Sequence, residues 1–128
     1  MKIATIIIRL IVGLAFFVFG ANAFLHFLPM PAEWPKNPAG NFMNALVVSN
    51  YVLGIGLCEV AGGLLLLIGR YVALGLVLLG PIVVNIQLYH IFMDPSGFAI
   101  ALVVLALWLF LVWRWWPAFA GLFQANAR

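Results

Sequence analysis

The apolar positions of this chain fall in long unbroken runs and not in the period-two alternation of a half-buried strand. Cut at the polar and proline-bearing breaks, the runs cover about Ile3 to Leu28, Phe42 to Ile68, Tyr71 to Phe92 and Gly97 to Trp113. Each is near the roughly 20 residues that a helix needs to cross a hydrocarbon core. The pattern predicts four transmembrane helices forming one domain over residues 1–128. Between the first two runs lies LPMPAEWPKNPAGN, whose Pro29, Pro31, Pro35 and Pro38 exclude a helix interior. An ordered, partly membrane-embedded outer loop is expected there. The second break is only Gly69 and Arg70, and the third is Asp94, Pro95 and Ser96, so successive helices should return as tight hairpins. The expected fold is all-α, an antiparallel four-helix transmembrane bundle.

Composition narrows this reading further. Of 128 residues, 67% are hydrophobic and only 7% charged, too few charges to build a water-facing surface. The mean hydropathy of +1.22 agrees. Lipid must then be the solvent for most side chains, with every backbone polar group satisfied inside helices. The net charge of +3 makes no basic stripe, because the basic residues are scattered singly, so nucleic acid is excluded as a partner. Cys58 is the single cysteine and allows no disulfide framework or thiolate cluster within one chain. Packing is its expected role.

The basic residues also set an orientation. Lys2, Arg9, Arg70, Arg114 and Arg128 fall on one side, while Lys36 falls on the other with Glu33 and Asp94. Both termini are therefore expected on the cytoplasmic side of a bacterial inner membrane. Trp34 on the outer side, and Tyr71, Trp113, Trp115 and Trp116 on the inner side, then stand at the interfaces that aromatic rings favour. The tail PAFAGLFQANAR reads as a short interfacial segment. GANAF, residues 20–24, offers a small-residue cleavage site. Ile6, Ile7 and Ile8 make a poor signal n-region, so a retained first helix is expected.

Ionisable groups within the spans are the default functional candidates. Glu59 stands in GLCEVAGGLLLL, on the order of 15 Å from the cytoplasmic end of its helix at 1.5 Å per residue. A charged acid at that depth costs roughly 3 kcal/mol to insert, a cost offset by the following leucines. Small residues surround it: Gly56, Gly62 and Gly63 one turn away, with Gly54, Cys58 and Gly62 forming a ridge at i, i+4, i+8. Two environments are open to it. Paired with Arg9 of the first helix it stays ionised in a buried ion pair; otherwise it is a neutral hydrogen-bonding acid and Arg9 marks the cytoplasmic interface.

Further polar positions gather in the outer half. Pro81 after Gly80 should bend the third helix. Asn85 and Tyr89 share one face of it, and Gln87 and His90 another. Asn22 and His26 stack on the first helix, and Asn50 lies at comparable depth on the second. The expectation is a cavity beneath the proline loop lined by Asn22, His26, Asn50, Asn85 and His90, with Glu59 near its floor. The bland alternative is interhelical hydrogen bonding worth about 0.6 kcal/mol per contact. His26 and His90 fit polar loop anchoring better than bis-histidine haem ligation. No phosphate loop, metal pattern or nucleophile elbow occurs, and no catalytic residue is assigned.

Three segments carry a family resemblance: RLIVGLAFFVFGANAF, EVAGGLLLLIGRYVALGLVLLGP and VNIQLYHIFMDPSG. In order and over nearly the whole chain they resemble the DoxX family of four-helix integral membrane proteins. The helix-one Arg9, Glu59 before a Gly-Gly pair, and the hairpin Gly69-Arg70 occur together as in that family. The chain departs from it at Ala23, where Lys or His is frequent after the Asn. The resemblance implies roles for Arg9, Glu59 and Asn85, and an accessory or anchoring subunit of a membrane oxidoreductase assembly, with redox partner subunits and a quinone or similar lipophilic ligand. Two other function classes stay open at this point. One is a small homo-oligomeric transporter or proton-conducting helper using Glu59, and the other is a purely structural scaffold. A stand-alone enzyme is not expected.

Overall fold

A computed structural model describes residues 2–126. Arg128, one of the basic residues used for orientation, lies outside the described residues. The described chain is helical, with no strand. In order it forms α1 (Lys2–Leu25), α2 (Pro38–Val48), α3 (Tyr51–Ile68), α4 (Val72–Phe92), a 3-10 turn at Pro95–Gly97, α5 (Phe98–Arg114), α6 (Trp116–Phe119) and a last 3-10 turn at Ala120–Phe123. Four segments are long and apolar enough to cross a membrane: α1, α3, α4 and the stretch Pro95–Arg114. These are the features of a multi-pass membrane protein. Their outward faces, with Ile3, Leu57, Val103 and Leu109 among many exposed apolar side chains, suit a lipid solvent.

The expected second helix, Phe42 to Ile68, is in fact two. Asn50 takes a left-handed backbone with φ 64, which separates α2 from α3. Asn tolerates that conformation better than any β-branched neighbour, and Ser49 supports it by donating its hydroxyl to the Ala45 carbonyl and accepting the Tyr51 N–H. The proline segment is also shorter than expected. Pro38 opens α2, where its missing N–H is no loss, and the Asn37 side chain caps the helix by accepting from Gly40 N at 2.8 Å. Residues 26–37 are left without helix.

The first helix stops at Leu25 and not near Leu28. His26 turns left-handed at φ 51, while the Asn22 carbonyl and side chain accept from the N–H groups of His26 and Leu28 at 2.9 and 2.8 Å. This is helix-end capping, and it accounts for both polar residues.

Packing is centred on α3, which lies against α1 along its length and against α4, while α4 in turn packs on α5. Small residues set the closest approaches. A Cβ on Gly20 would fall 2.7 Å from both the Gly56 carbonyl and the Val60 nitrogen, and one on Gly63 would fall 2.6 Å from the Phe17 nitrogen. Glycine is therefore required where the α1 and α3 backbones touch. On the other side Gly62 meets Leu79 and the Gly75 carbonyl. The anticipated ridge of Gly54, Cys58 and Gly62 is thus divided: Gly62 is buried against α4, whereas nothing lies within 4 Å of a Cβ on Gly54.

The α4–α5 contact holds Leu76, Leu79, Val83 and Leu111 wholly out of solvent. Two polar contacts pin it. Gln87 donates to the Ala101 carbonyl at 2.7 Å, and Trp108 donates its indole N–H to the Leu76 carbonyl at 3.1 Å. The Trp108 ring rests over Gly80, at the turn that Pro81 deprives of a backbone donor. Beyond α5, Phe119 is buried in the core while Leu122 and Phe123 face outward, and the Trp116 and Phe123 rings pack at 5.3 Å.

Candidate functional site

Between α2, α3 and α4 runs an open, mostly apolar groove of about 1080 Å³. Its shape follows from the two irregularities already described. The left-handed Asn50 interrupts the helix between α2 and α3, and Pro81 lies on the α4 wall, six residues past the Gly75 contact that holds α4 against α3. Of the polar residues expected to meet, Glu59, Asn50, Asn85 and His90 line this groove. Asn22 and His26 do not; they serve the end of α1, and His26 is exposed. The haem geometry needs both histidines on one cavity, and the fold does not bring them to one.

Glu59 is held at its root. Gly20 of α1 lets that helix approach so closely that an added Cβ there would fall 2.8 Å from the Glu59 Cβ. The carboxyl end belongs to the groove, where it makes no hydrogen bond or ion pair with any described residue. Arg9 is not its partner. The Arg9 guanidinium lies against Gly69, the left-handed residue that ends α3, so that a Cβ at that position would overlap it. Ten residues of α3 separate Gly69 from Glu59, or about 15 Å at 1.5 Å per residue. The cation sits instead beside the carbonyl end of α3, where the helix dipole favours it by about 0.3–1 kcal/mol.

Asn85 folds back along its own helix and donates its amide to the Pro81 carbonyl at 2.7 Å, leaving its side-chain oxygen for the groove. His90 places Nδ1 2.9 Å from the Asp94 carbonyl. A carbonyl only accepts, so Nδ1 carries the hydrogen and Nε2 is left without a partner among the described residues. The ring lies against Gly97 so closely that a Cβ there would collide with it.

Tyr89 was readable as a groove residue from its i, i+4 spacing to Asn85. Its ring meets His90 edge-on at 5.0 Å and Phe42 of α2 at 5.8 Å. Cys58, half-buried beside Glu59, also lines the groove rather than a helix contact. Phe42, Met43 and Leu46 enter through α2, which the pattern of apolar positions did not separate from α3. Gln87 leaves the expected polar stripe and locks α4 to α5. A smaller cavity of about 390 Å³, lined by Glu33, Trp34, Asp94 and others, shares Met43 and Tyr89 with the groove.

Chemically the groove offers a large apolar contact area with few hydrogen-bonding groups, the usual makeup of a site for a lipophilic molecule. Among the described residues no three His, Cys, Asp or Glu side chains converge as metal ligands. Compared with protein-family models, with curated proteins and with solved structures, the chain matches none of them.

Proposed function

We propose that this chain is an accessory or anchoring membrane subunit of the DoxX type that holds a lipophilic, quinone-like molecule in the groove between α2, α3 and α4. In this reading the four spans form an antiparallel bundle in a bacterial inner membrane. Both termini are cytoplasmic, and residues 26–37 form the outer loop. Arg9 and Arg70 at the α3–α4 turn, with Lys36, Glu33 and Asp94 at the opposite end, fit that orientation. The short helices after α5 then lie at the inner interface, presenting Leu122 and Phe123 to lipid.

One observation carries the proposal. A carboxyl group within a spanning helix, without a partner among the described residues, opens on an apolar groove large enough for a ligand. An acid placed there only to lock helices would be hydrogen-bonded to one of them. Glu59 supplies the polar end of the site, giving a hydrogen bond to a ligand oxygen or exchanging a proton with it. Asn85 adds an acceptor one turn away. The redox assembly rests on the family resemblance, and the groove supports the ligand.

Native mass spectra of the protein drawn gently from its own membranes test this. Wild type is expected to carry a small-molecule adduct that Glu59→Gln lacks, and the adduct's mass separates a quinone from an ordinary lipid. Bare protein in both preparations sinks the proposal and turns the search to a partner subunit.

A further inference from the structure

We infer that the end of the molecule carrying the α3–α4 turn holds a binding site for the phosphate of an anionic membrane lipid, built by Arg9 of α1 and Arg70 of the turn. The groove takes no part in it, so the inference stands or falls apart from the function proposed above.

Two separate stretches of chain deliver these cations to one turn. Arg9 lies seven residues into α1, about 10 Å along its axis. Its half-buried guanidinium rests against Gly69, the residue before Arg70. Gly69 and Tyr71 are both left-handed, at φ 72 and φ 55, which keeps the turn short and leaves Arg70 exposed between them. The next helix, α4, begins at once, with no side chain capping its first N–H groups.

No acidic side chain answers this charge. The sequence has three: Glu33 and Asp94 stand at the opposite end of the spans, and Glu59 lies about 15 Å along α3. Among the described residues neither Arg9 nor Arg70 makes a hydrogen bond or ion pair. Arg114, at the same end, differs in lying over the Trp113 ring at 5.7 Å. A half-buried guanidinium at the edge of hydrocarbon calls for an anion that accepts several N–H bonds at once. The turn lies where two apolar spans end, the level of lipid head groups, and exposed Tyr71 suits the same interface. The planar fork of arginine matches two phosphate oxygens, and basic sites of this kind take the head groups of anionic lipids.

The test uses purified protein in neutral detergent, with phosphatidylglycerol or phosphatidylcholine added at equal mole fraction and bound lipid counted by native mass spectrometry. Wild type is expected to hold one phosphatidylglycerol about five- to tenfold more tightly than phosphatidylcholine. Arg9→Gln and Arg70→Gln should each lose that preference. Arg70 is exposed, so Arg70→Gln carries the test if Arg9→Gln does not fold. Arg114→Gln removes the same charge from the same end and should keep the preference. No preference in wild type, or a preference that survives both Arg9→Gln and Arg70→Gln, overturns the site. An equal loss in Arg114→Gln also overturns it, by showing a diffuse surface charge in place of a built site. Inorganic phosphate that displaces phosphatidylglycerol at equal concentration would make the ligand a soluble phosphate and overturn the lipid.

Discussion

The two faces of α3 are built from the same small residues and do opposite things. Toward α1, Gly56 and Gly63 meet Gly20 and Gly13 so closely that backbone touches backbone along the seam. Toward α4, the glycine contact of Gly62 with Gly75 holds only one half, and beyond it Gly54 faces open space in the groove. The difference lies in what the opposing helix offers. The α1 side presents Gly13 and Gly20 seven residues apart, matching the seven between Gly56 and Gly63, whereas α4 presents Gly75 and then Pro81. A helix contact needs small residues on both partners in register; small residues on one partner leave a space. Glu59 stands on the boundary, with its root in the tight seam and its carboxyl in the space.

The largest effects should come from the seam. Gly63→Ala sets a methyl 2.6 Å from the Phe17 nitrogen, where only a backbone shift makes room. Overpacking of that kind costs about 1–3 kcal/mol. Gly54→Ala meets no atom and trades glycine for a better helix former, a gain of about 0.5–1 kcal/mol. Unfolding in mixed detergent–denaturant micelles should therefore separate the two variants in opposite directions from wild type. Equal midpoints would mean that the α1–α3 approach is not the tight contact described.

The break between α2 and α3 should rank next. Asn50→Ala keeps the left-handed backbone but loses the residue that tolerates it, at a cost of about 1 kcal/mol, while Asn50→Gly should be neutral or slightly stabilising. The same pair of variants probes the groove wall, because α2 is aimed by that residue. An Asn50→Ala protein as stable as Asn50→Gly would imply that α2 continues into α3.

These residues also mark how far the sequence could be read. The four spans are legible because hydropathy over about 20 residues is decisive in lipid. Ser49-Asn50 was not legible as a break, since neither residue is Gly or Pro and the flanking VV and YV keep the run apolar. Asn22 and His26 share a helical spacing that fits a pocket face equally well, and only the end of α1 at Leu25 turns them into caps. Glu59, Asn85 and His90 line one groove, and their depth along a span was legible from helical rise. The partner of Arg9 was not, because which helix face meets which neighbour depends on the seam glycines and not on any one run.

A smaller effect is expected where α4 meets α5. Gln87 is only 9% exposed and spends its amide on the Ala101 carbonyl, which already has a place in its own helix. Gln87→Leu fills a similar volume and loses one interhelical hydrogen bond, about 0.6 kcal/mol in such settings. The groove lies on the other side of α4, so the mass adduct proposed for wild type should survive this change. Its loss in Gln87→Leu would show that the two sides of α4 are not independent.

The smallest effect on stability should come from the residue that matters most to the proposed function. Glu59 has no hydrogen bond among the described residues to lose, and its Cβ contact with Gly20 is kept by any larger side chain. Glu59→Leu should therefore unfold within about 0.5 kcal/mol of wild type in detergent, the range of substitutions that remove no contact. A structural lock behaves differently: breaking a buried polar partnership costs about 3–5 kcal/mol and leaves the other partner stranded. Measured beside Gly63→Ala, the variant places Glu59 on one face of α3 or the other. Stability unchanged with the ligand lost assigns it to the groove, whereas a loss as large as that of the seam glycine would assign it to the α1 contact and remove the reason for its carboxyl to face open space.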